Sequence, residues 1–213
     1  MLSAGFAASP FLDIMEAERP QAPTDENSRD ILLMERIGAG DHRAFRELVE
    51  RHQHAVVGTV AKMLGNPSEA EDISQQVFLR VWRHAKRYRP DAKFTTYLFT
   101  ITRNLVFNES RRKKRRKEIS SDEREENSHA GTPDDPSRQP DAELLQAELR
   151  AAVDRAISAL PEQQRMAVVL RRYEQMPYEE IATVLDLSVS AVKSLLFRAR
   201  TTLRDSLSRY LEP

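Results

Sequence analysis

Cysteine is absent from the 213 residues. That excludes disulfide frameworks, thiolate metal sites and a cysteine nucleophile, and it suits a reducing compartment. Glycine is scarce, at six residues, and the chain has no glycine-rich phosphate loop and no nucleophile elbow. No window approaches the roughly 18 consecutive apolar residues that a membrane span needs. The first 20 residues lack a basic leader region and carry Asp13 and Glu16 where a signal peptide is apolar. The expected location is the cytoplasm. Strand-like alternation is also missing, so an all-α fold is expected.

Net charge is absent too, because 33 basic side chains balance 33 acidic ones, but the balance hides a sorting along the chain. Residues 103–118 hold eight basic residues against two acidic, a net +6, and residues 119–148 hold nine acidic against two basic, a net −7. The first block attracts phosphates and the second repels them. Between Ser120 and Pro140 the only apolar residue is Ala130, and Gly131, Pro133 and Pro136 punctuate the run. Such a stretch cannot bury enough surface to offset the entropy of ordering it. The expected organisation is therefore a disordered extension over 1–27, a helical domain over 28–118, a flexible acidic linker over 119–140, and a second helical domain over 141–213.

Apolar residues at spacings of three and four predict helices over 41–64, 69–86, 141–160, 161–173, 177–185 and 189–207, with another running from 95 into the basic block. Ser68 is a candidate N-cap ahead of Glu69 and Glu71. The break at Asp186, Leu187 and Ser188 leaves two helices joined by a short turn. That pattern fits a helix-turn-helix or an ordinary helical hairpin. The final helix favours the former. At about 100° per residue, Ser190, Ser194, Phe197 and Thr201 lie opposite the apolar stripe of Val192, Leu195, Leu196, Ala199 and Leu203, with Lys193 and Arg198 at their flanks. Small hydroxyls, two cations and an exposed aromatic suit base edges, thymine methyls and phosphates.

On the helix over 69–86, Ile73, Val77 and Val81 face a core, and Asp72, Gln75, Leu79 and Arg83 face away, with Gln76 at the margin. A lone exposed leucine is ordinary, yet one ringed by polar groups also fits a protein-protein hot spot. The pattern leaves both open. Catalysis finds little support. Glu69, Glu71 and Asp72 cluster at a helix start, where acids favour the dipole. His52 and His54, two apart, point to different faces, so neither a metal nor another cofactor is expected.

Three segments together resemble the extracytoplasmic-function sigma factors, bacterial transcription initiation subunits of the sigma-70 family. The first runs from Ala70, Glu71 and Asp72 to Trp82, the second from Phe94 to Phe99 and on through Asn104 to Arg111 and Arg112. The third comprises Leu160-Pro161, Tyr178 to Ala182, and Ser190 to Arg200. The resemblance covers residues 30–211. It implies that Asp72, Gln75, Gln76, Leu79 and Arg83 bind core RNA polymerase. It further implies that Tyr88, Phe94, Tyr97, Asn104, Arg111 and Arg112 melt and hold the −10 promoter element. Ser190, Lys193, Ser194, Phe197 and Arg198 would read the −35 element. Partners implied are core polymerase, promoter DNA and an anti-sigma factor. Three positions depart from the family pattern: Gln76 stands where Glu is usual, Tyr97 where Trp is frequent and Asn108 where Asp is frequent. For both Phe94 and Phe99 plain core packing is the alternative, and for Phe99 it is the expected role. The rival function is a stand-alone helix-turn-helix regulator, which needs neither a polymerase-binding face nor an aromatic-basic platform.

Overall fold

The computed structural model describes residues 25–120 and 142–210, and all the regular structure among them is helical. The first group comprises α1 (Asp25–Gly38), α2 (His42–Leu64), α3 (Pro67–His84) and α4 (Phe94–Ser120). The second comprises α5 (Ala142–Ala159), α6 (Glu162–Arg172), α7 (Tyr178–Leu185) and α8 (Val189–Ser206). Residues 1–24 of the expected extension and 121–141, which include most of the expected acidic linker, lie outside the described residues.

Local chemistry sets the helix ends. The Asp41 carboxylate accepts the amides of Arg43 and Ala44 at the start of α2. Those amides, with the Arg36 guanidinium, hold its carboxyl below the ordinary aspartate value. Gly65, at φ 70°, closes the same helix in the left-handed conformation that glycine adopts without strain. At α3 the cap is Asn66 rather than the expected Ser68: its side chain accepts the amides of Ser68 and Glu69, and Pro67 fills the first helical position. Pro at that position loses no hydrogen bond, so the helix begins two residues earlier than a Ser68 cap would allow.

The first group packs Leu33, Met34, Leu48, Val56, Val60, Val77, Val81 and Leu98 into its interior. α1 contributes there through Leu33, Met34 and Ile37, which recur at helical spacing. Its Asp30 is 2 % exposed and paired with Arg51 Nε at 3.0 Å and His52 Nε2 at 2.9 Å. A carboxylate so buried needs such partners. Asn27 has a further role. Its side-chain oxygen accepts the Phe94 amide at 2.9 Å, capping α4 from 67 residues away in sequence. Residues 25–27, expected within the disordered extension, are thus the first turn of a helix.

In the second group Leu160, Met166, Leu170, Ile181, Val192, Leu196 and Leu203 form the interior. The turn between α7 and α8 takes Asp186 to φ 58°. Its amide and that of Leu187 satisfy the last carbonyls of α7, and Ser188 caps α8 by accepting the Ala191 amide. The two groups are packed together, with α7 against α4 and α6 against α2.

Candidate nucleic-acid and polymerase interfaces

The outward face of α8 is set by the stripe that α8 buries. Val192, Leu196, Ala199 and Leu203 are at most 4 % exposed, which turns Ser190, Lys193, Ser194, Phe197 and Arg198 to solvent. Phe197 is 66 % exposed, the most exposed large apolar side chain among the described residues. Ser194 and Thr201 park their hydroxyls on the carbonyls of Ser190 and Phe197, one turn back, so the helix ladder stays intact. α7 braces α8 from behind through Ile181, Val184 and Leu185. The pair is a helix-turn-helix with its second helix free to enter a groove.

α3 presents a second uncovered face. Asp72, Gln75, Gln76, Leu79 and Arg83 are all exposed, Leu79 at 49 %. On the opposite side Ile73, Val77, Phe78 and Val81 are buried, so the helix is anchored through one stripe and open along the other. Trp82 belongs to neither extreme: it stacks on His42 at 4.7 Å and meets Phe45 edge-on at 5.0 Å.

The third set gathers around the start of α4. Tyr88 and Tyr97 have ring centroids 5.1 Å apart, and Phe94 lies 6.2 Å from each. The cluster is half-buried rather than open. Phe94 is fully buried, with the His52 ring 5.2 Å away. The expectation that it touches DNA is therefore corrected: as the first residue of a capped helix wrapped by its neighbours, Phe94 is the floor beneath Tyr88 and Tyr97. Burial, with Tyr97 close by, pushes the Tyr88 phenol up to about 12, and burial also raises Tyr97. The Tyr88 hydroxyl is enclosed and has no hydrogen-bond partner among the described residues. Phe99, as expected, is core, at 3 % exposed.

Further along α4, Asn104, Arg111 and Arg112 are exposed. Arg111 donates to the Phe107 carbonyl at 3.2 Å, Arg112 pairs with Glu109 at 2.8 Å, and Lys113 pairs with Glu69 of α3. Tyr97, Asn104 and Arg111 share one side of α4 at sevenfold spacing. The structure thus brings Tyr88 and Tyr97 together at the start of α4, with Asn104 two turns further along the helix and the basic block beyond it. Sequence reasoning missed Asp30, Asn27 and the His52 contact with Asp30. The apolar periodicity of Leu33, Met34 and Ile37 was the available signal for α1.

Family models match both halves of this geometry. Residues 48–116 match sigma-70 region 2, and residues 150–203 match sigma-70 region 4. The chain is 35 % identical over 190 residues to the RNA polymerase sigma-H factor of Pseudomonas aeruginosa, covering 87 % of this chain and 95 % of that relative. It is 36 % identical over 177 residues to the ECF RNA polymerase sigma-E factor of Escherichia coli K12, covering 82 % and 92 %. The chain belongs to the extracytoplasmic-function sigma factors. Members of this sigma-70 family are promoter-specific initiation factors of RNA polymerase. Among solved structures, CnrH in complex with the cytosolic domain of CnrY is similar, with a TM-score of 0.61 and 25 % identity over 85 % of this chain and 98 % of that one. The sigma factor RpoE of Bartonella quintana, in complex with the anti-sigma factor NepR, shares the fold at a TM-score of 0.62 and 22 % identity, over 77 % and 96 % of the chains. Among the described residues no helix of this sigma factor is long and apolar enough to cross a membrane.

Proposed function

We propose that this sigma factor divides initiation between its two helical groups. α3 docks on core RNA polymerase through Asp72, Gln75, Gln76, Leu79 and Arg83. Tyr88, Tyr97 and Asn104 hold the unstacked −10 strand while Arg111 and Arg112 neutralise its phosphates, and α8 reads the −35 element through Ser190, Lys193, Ser194, Phe197 and Arg198. The observation that carries the reading is the wholly exposed α8 face, with Phe197 at 66 % on a braced helix-turn-helix. A solvated helix face has no structural use for that ring.

The energetics support the division. Opening duplex DNA costs roughly 1–2 kcal/mol per stacked step, and each base stacked on an aromatic ring returns about 1–3 kcal/mol. Two tyrosine faces at the start of α4, with a net +6 stretch further along the same helix, supply both halves of that exchange. Phe94 enters only by fixing the height and tilt of the tyrosines. The domain division is proposed to run from residue 28 to 118 and from 141 to 213, with 119–140 as connector. An anti-sigma protein is the further proposed partner, and the cytoplasm the place of action.

The deciding measurement is a titration of the purified chain against sigma-free bacterial core RNA polymerase, in parallel with Asp72→Ala/Leu79→Ala. Stoichiometric binding that the double substitution weakens, with duplex binding by α8 unchanged, is the expected result. Absence of core binding with duplex binding intact would make the chain a stand-alone regulator, and equal loss of both activities would end the division of labour.

A further inference from the structure

The two tyrosines of the proposed −10 platform sit on different elements, and one helix touches both. Tyr97 lies in the first turn of α4. Tyr88 follows a short 3₁₀ turn, Ala85–Arg87, with no regular structure between it and α4. α1 packs against that turn and against α4. It precedes residues 48–116, which match sigma-70 region 2, and none of the interfaces proposed above includes a residue of it.

The start of α1 holds the start of α4. Phe94 is the first residue of α4, and its amide is one of those that a helix leaves without an intrahelical partner. Asn27 Oδ1 accepts it at 2.9 Å. One turn further along α1, the Asp30 carboxylate accepts Arg51 Nε at 3.0 Å and lies 2.9 Å from His52 Nε2. The His52 ring rests 5.2 Å from that of Phe94, which in turn lies 6.2 Å from both tyrosine rings. Backbone and ring of Phe94 are thus both fixed from α1, and Tyr97 stands in the same turn.

The other end of α1 holds the approach to Tyr88. Gly38, the last residue of α1, comes so close to the 3₁₀ turn that a Cβ there would lie 3.3 Å from the Ala85 carbonyl oxygen and 3.6 Å from the Lys86 Cα. That same carbonyl accepts the Tyr88 amide at 3.1 Å. Backbone does not yield as the tip of a flexible side chain does, so a side chain at Gly38 must shift the carbonyl and the amide bonded to it. Between the two ends Leu33, Met34 and Ile37 are buried. From Asn27 to Gly38 the helix covers about 16 Å at about 1.5 Å per residue, so one stiff rod joins the two attachment points.

Small shifts matter on such a platform. The Tyr88 and Tyr97 rings meet at 5.1 Å and 60°, and the Tyr88 hydroxyl has no hydrogen-bond partner among the described residues to hold that angle. A gap of about 0.5–1 Å between two packed surfaces forfeits roughly a quarter to a half of their dispersion attraction.

We propose that α1 is the positioning element of the −10 platform, with Asn27 and Gly38 as positioning residues that set the separation and tilt of Tyr97 and Tyr88 and, through them, how firmly an unstacked base is held. The proposal rests on the reading of Tyr88 and Tyr97 given above. Neither Asn27 nor Gly38 touches DNA in it.

The test uses the full chain assembled with bacterial core RNA polymerase. The probe is a promoter duplex that the wild-type holoenzyme selects from a random-sequence pool, with 2-aminopurine in its −10 region so that fluorescence reports unstacking. Core affinity and closed-duplex binding are measured beside it. Asn27→Ala removes the acceptor, Asn27→Asp keeps one, and Gly38→Ala adds the Cβ while favouring the helix itself. Asn27→Ala and Gly38→Ala should each lower the opening equilibrium about fivefold, with core affinity and closed-duplex binding unchanged. Asn27→Asp should open the probe like the wild type. In a Tyr97→Ala background Asn27→Ala should cost little further, because the ring it positions is gone. Opening at the wild-type level by Asn27→Ala and Gly38→Ala overturns the proposal. So does a loss shared equally by opening, core affinity and closed-duplex binding, or a full additional loss in the Tyr97→Ala background, since either makes α1 a scaffold and nothing more. A wild-type holoenzyme that binds the duplex but never unstacks the probe overturns the reading of the tyrosines, and the role of α1 with it.

Discussion

In the proposed division of labour the face of α8 and the aromatic cluster at the start of α4 meet different recognition problems, and their burial differs in step. α8 presents every one of its candidate contacts to water, including Phe197 at 66 %. The cluster near α4 keeps Phe94 fully buried and Tyr88 and Tyr97 partly so. A duplex already displays its base edges in the groove, so a rigid, open helix can read them. A single strand offers π-faces only after unstacking, and a fully open aromatic cluster would meanwhile expose an apolar patch that invites unwanted association. A buried floor with half-covered tyrosines keeps most of the stacking surface positioned while limiting that exposure.

The largest effect that separates the regions is on stability. Phe94→Ala should cost about 3–5 kcal/mol in urea unfolding, the range for emptying a buried aromatic site. Phe197→Ala should stay within about 0.5 kcal/mol, as surface changes do, while reducing duplex binding. Comparable unfolding midpoints for the two variants would break the comparison. Next comes Arg198→Ala, expected to lose about 1–3 kcal/mol of discrimination at one −35 position. Binding measured across all single-base variants of the site would read this, and a loss uniform over every sequence would reassign Arg198 to the phosphate backbone.

Asn66→Ala removes two capped amides at the start of α3 and should lower stability by about 1 kcal/mol. Calorimetry paired with duplex binding checks this, because the cap serves α3, the proposed polymerase-docking helix, and duplex affinity should not move. The smallest effect concerns Tyr88. Its neutral phenol is favoured in the fold, with the pKa raised from 10.0 to about 12. The associated stability is therefore full below pH 10 and lost as pH rises from about 10 to 12. Melting curves across that window should converge on those of Tyr88→Phe at lower pH and fall below them at higher pH. Identical slopes for the two proteins would mean that Tyr88 is open to solvent.

Much of the helix pattern was legible beforehand, and for a physical reason. α2, α3, α6, α7 and α8 each bury one stripe, and a stripe is a periodicity that can be read without coordinates. The exposed faces of α3 and α8 followed, because whatever a stripe buries decides what lies opposite. Local caps were less secure. Ser68 and Asn66 are both competent acceptors two residues apart, and only the geometry of Pro67 chose between them. Phe94 was misassigned because an aromatic at a helix start reads the same whether it floors a cluster or faces a strand.

By itself the sequence determined the helical class, the sorting of charge into a basic block and an acidic stretch, and the composition of the α3 and α8 faces. These properties are carried by neighbours within a few turns, so spacing suffices. The tertiary structure alone decided that Asn27 caps α4, that Asp30 is paired with Arg51 and His52, and that Arg103 and Arg165 each cap a helix of the opposite group. Those partners stand between 21 and 102 residues apart. Contacts at such separations leave no periodic trace, because any arginine or asparagine in the chain could have supplied them and only packing selects which one does.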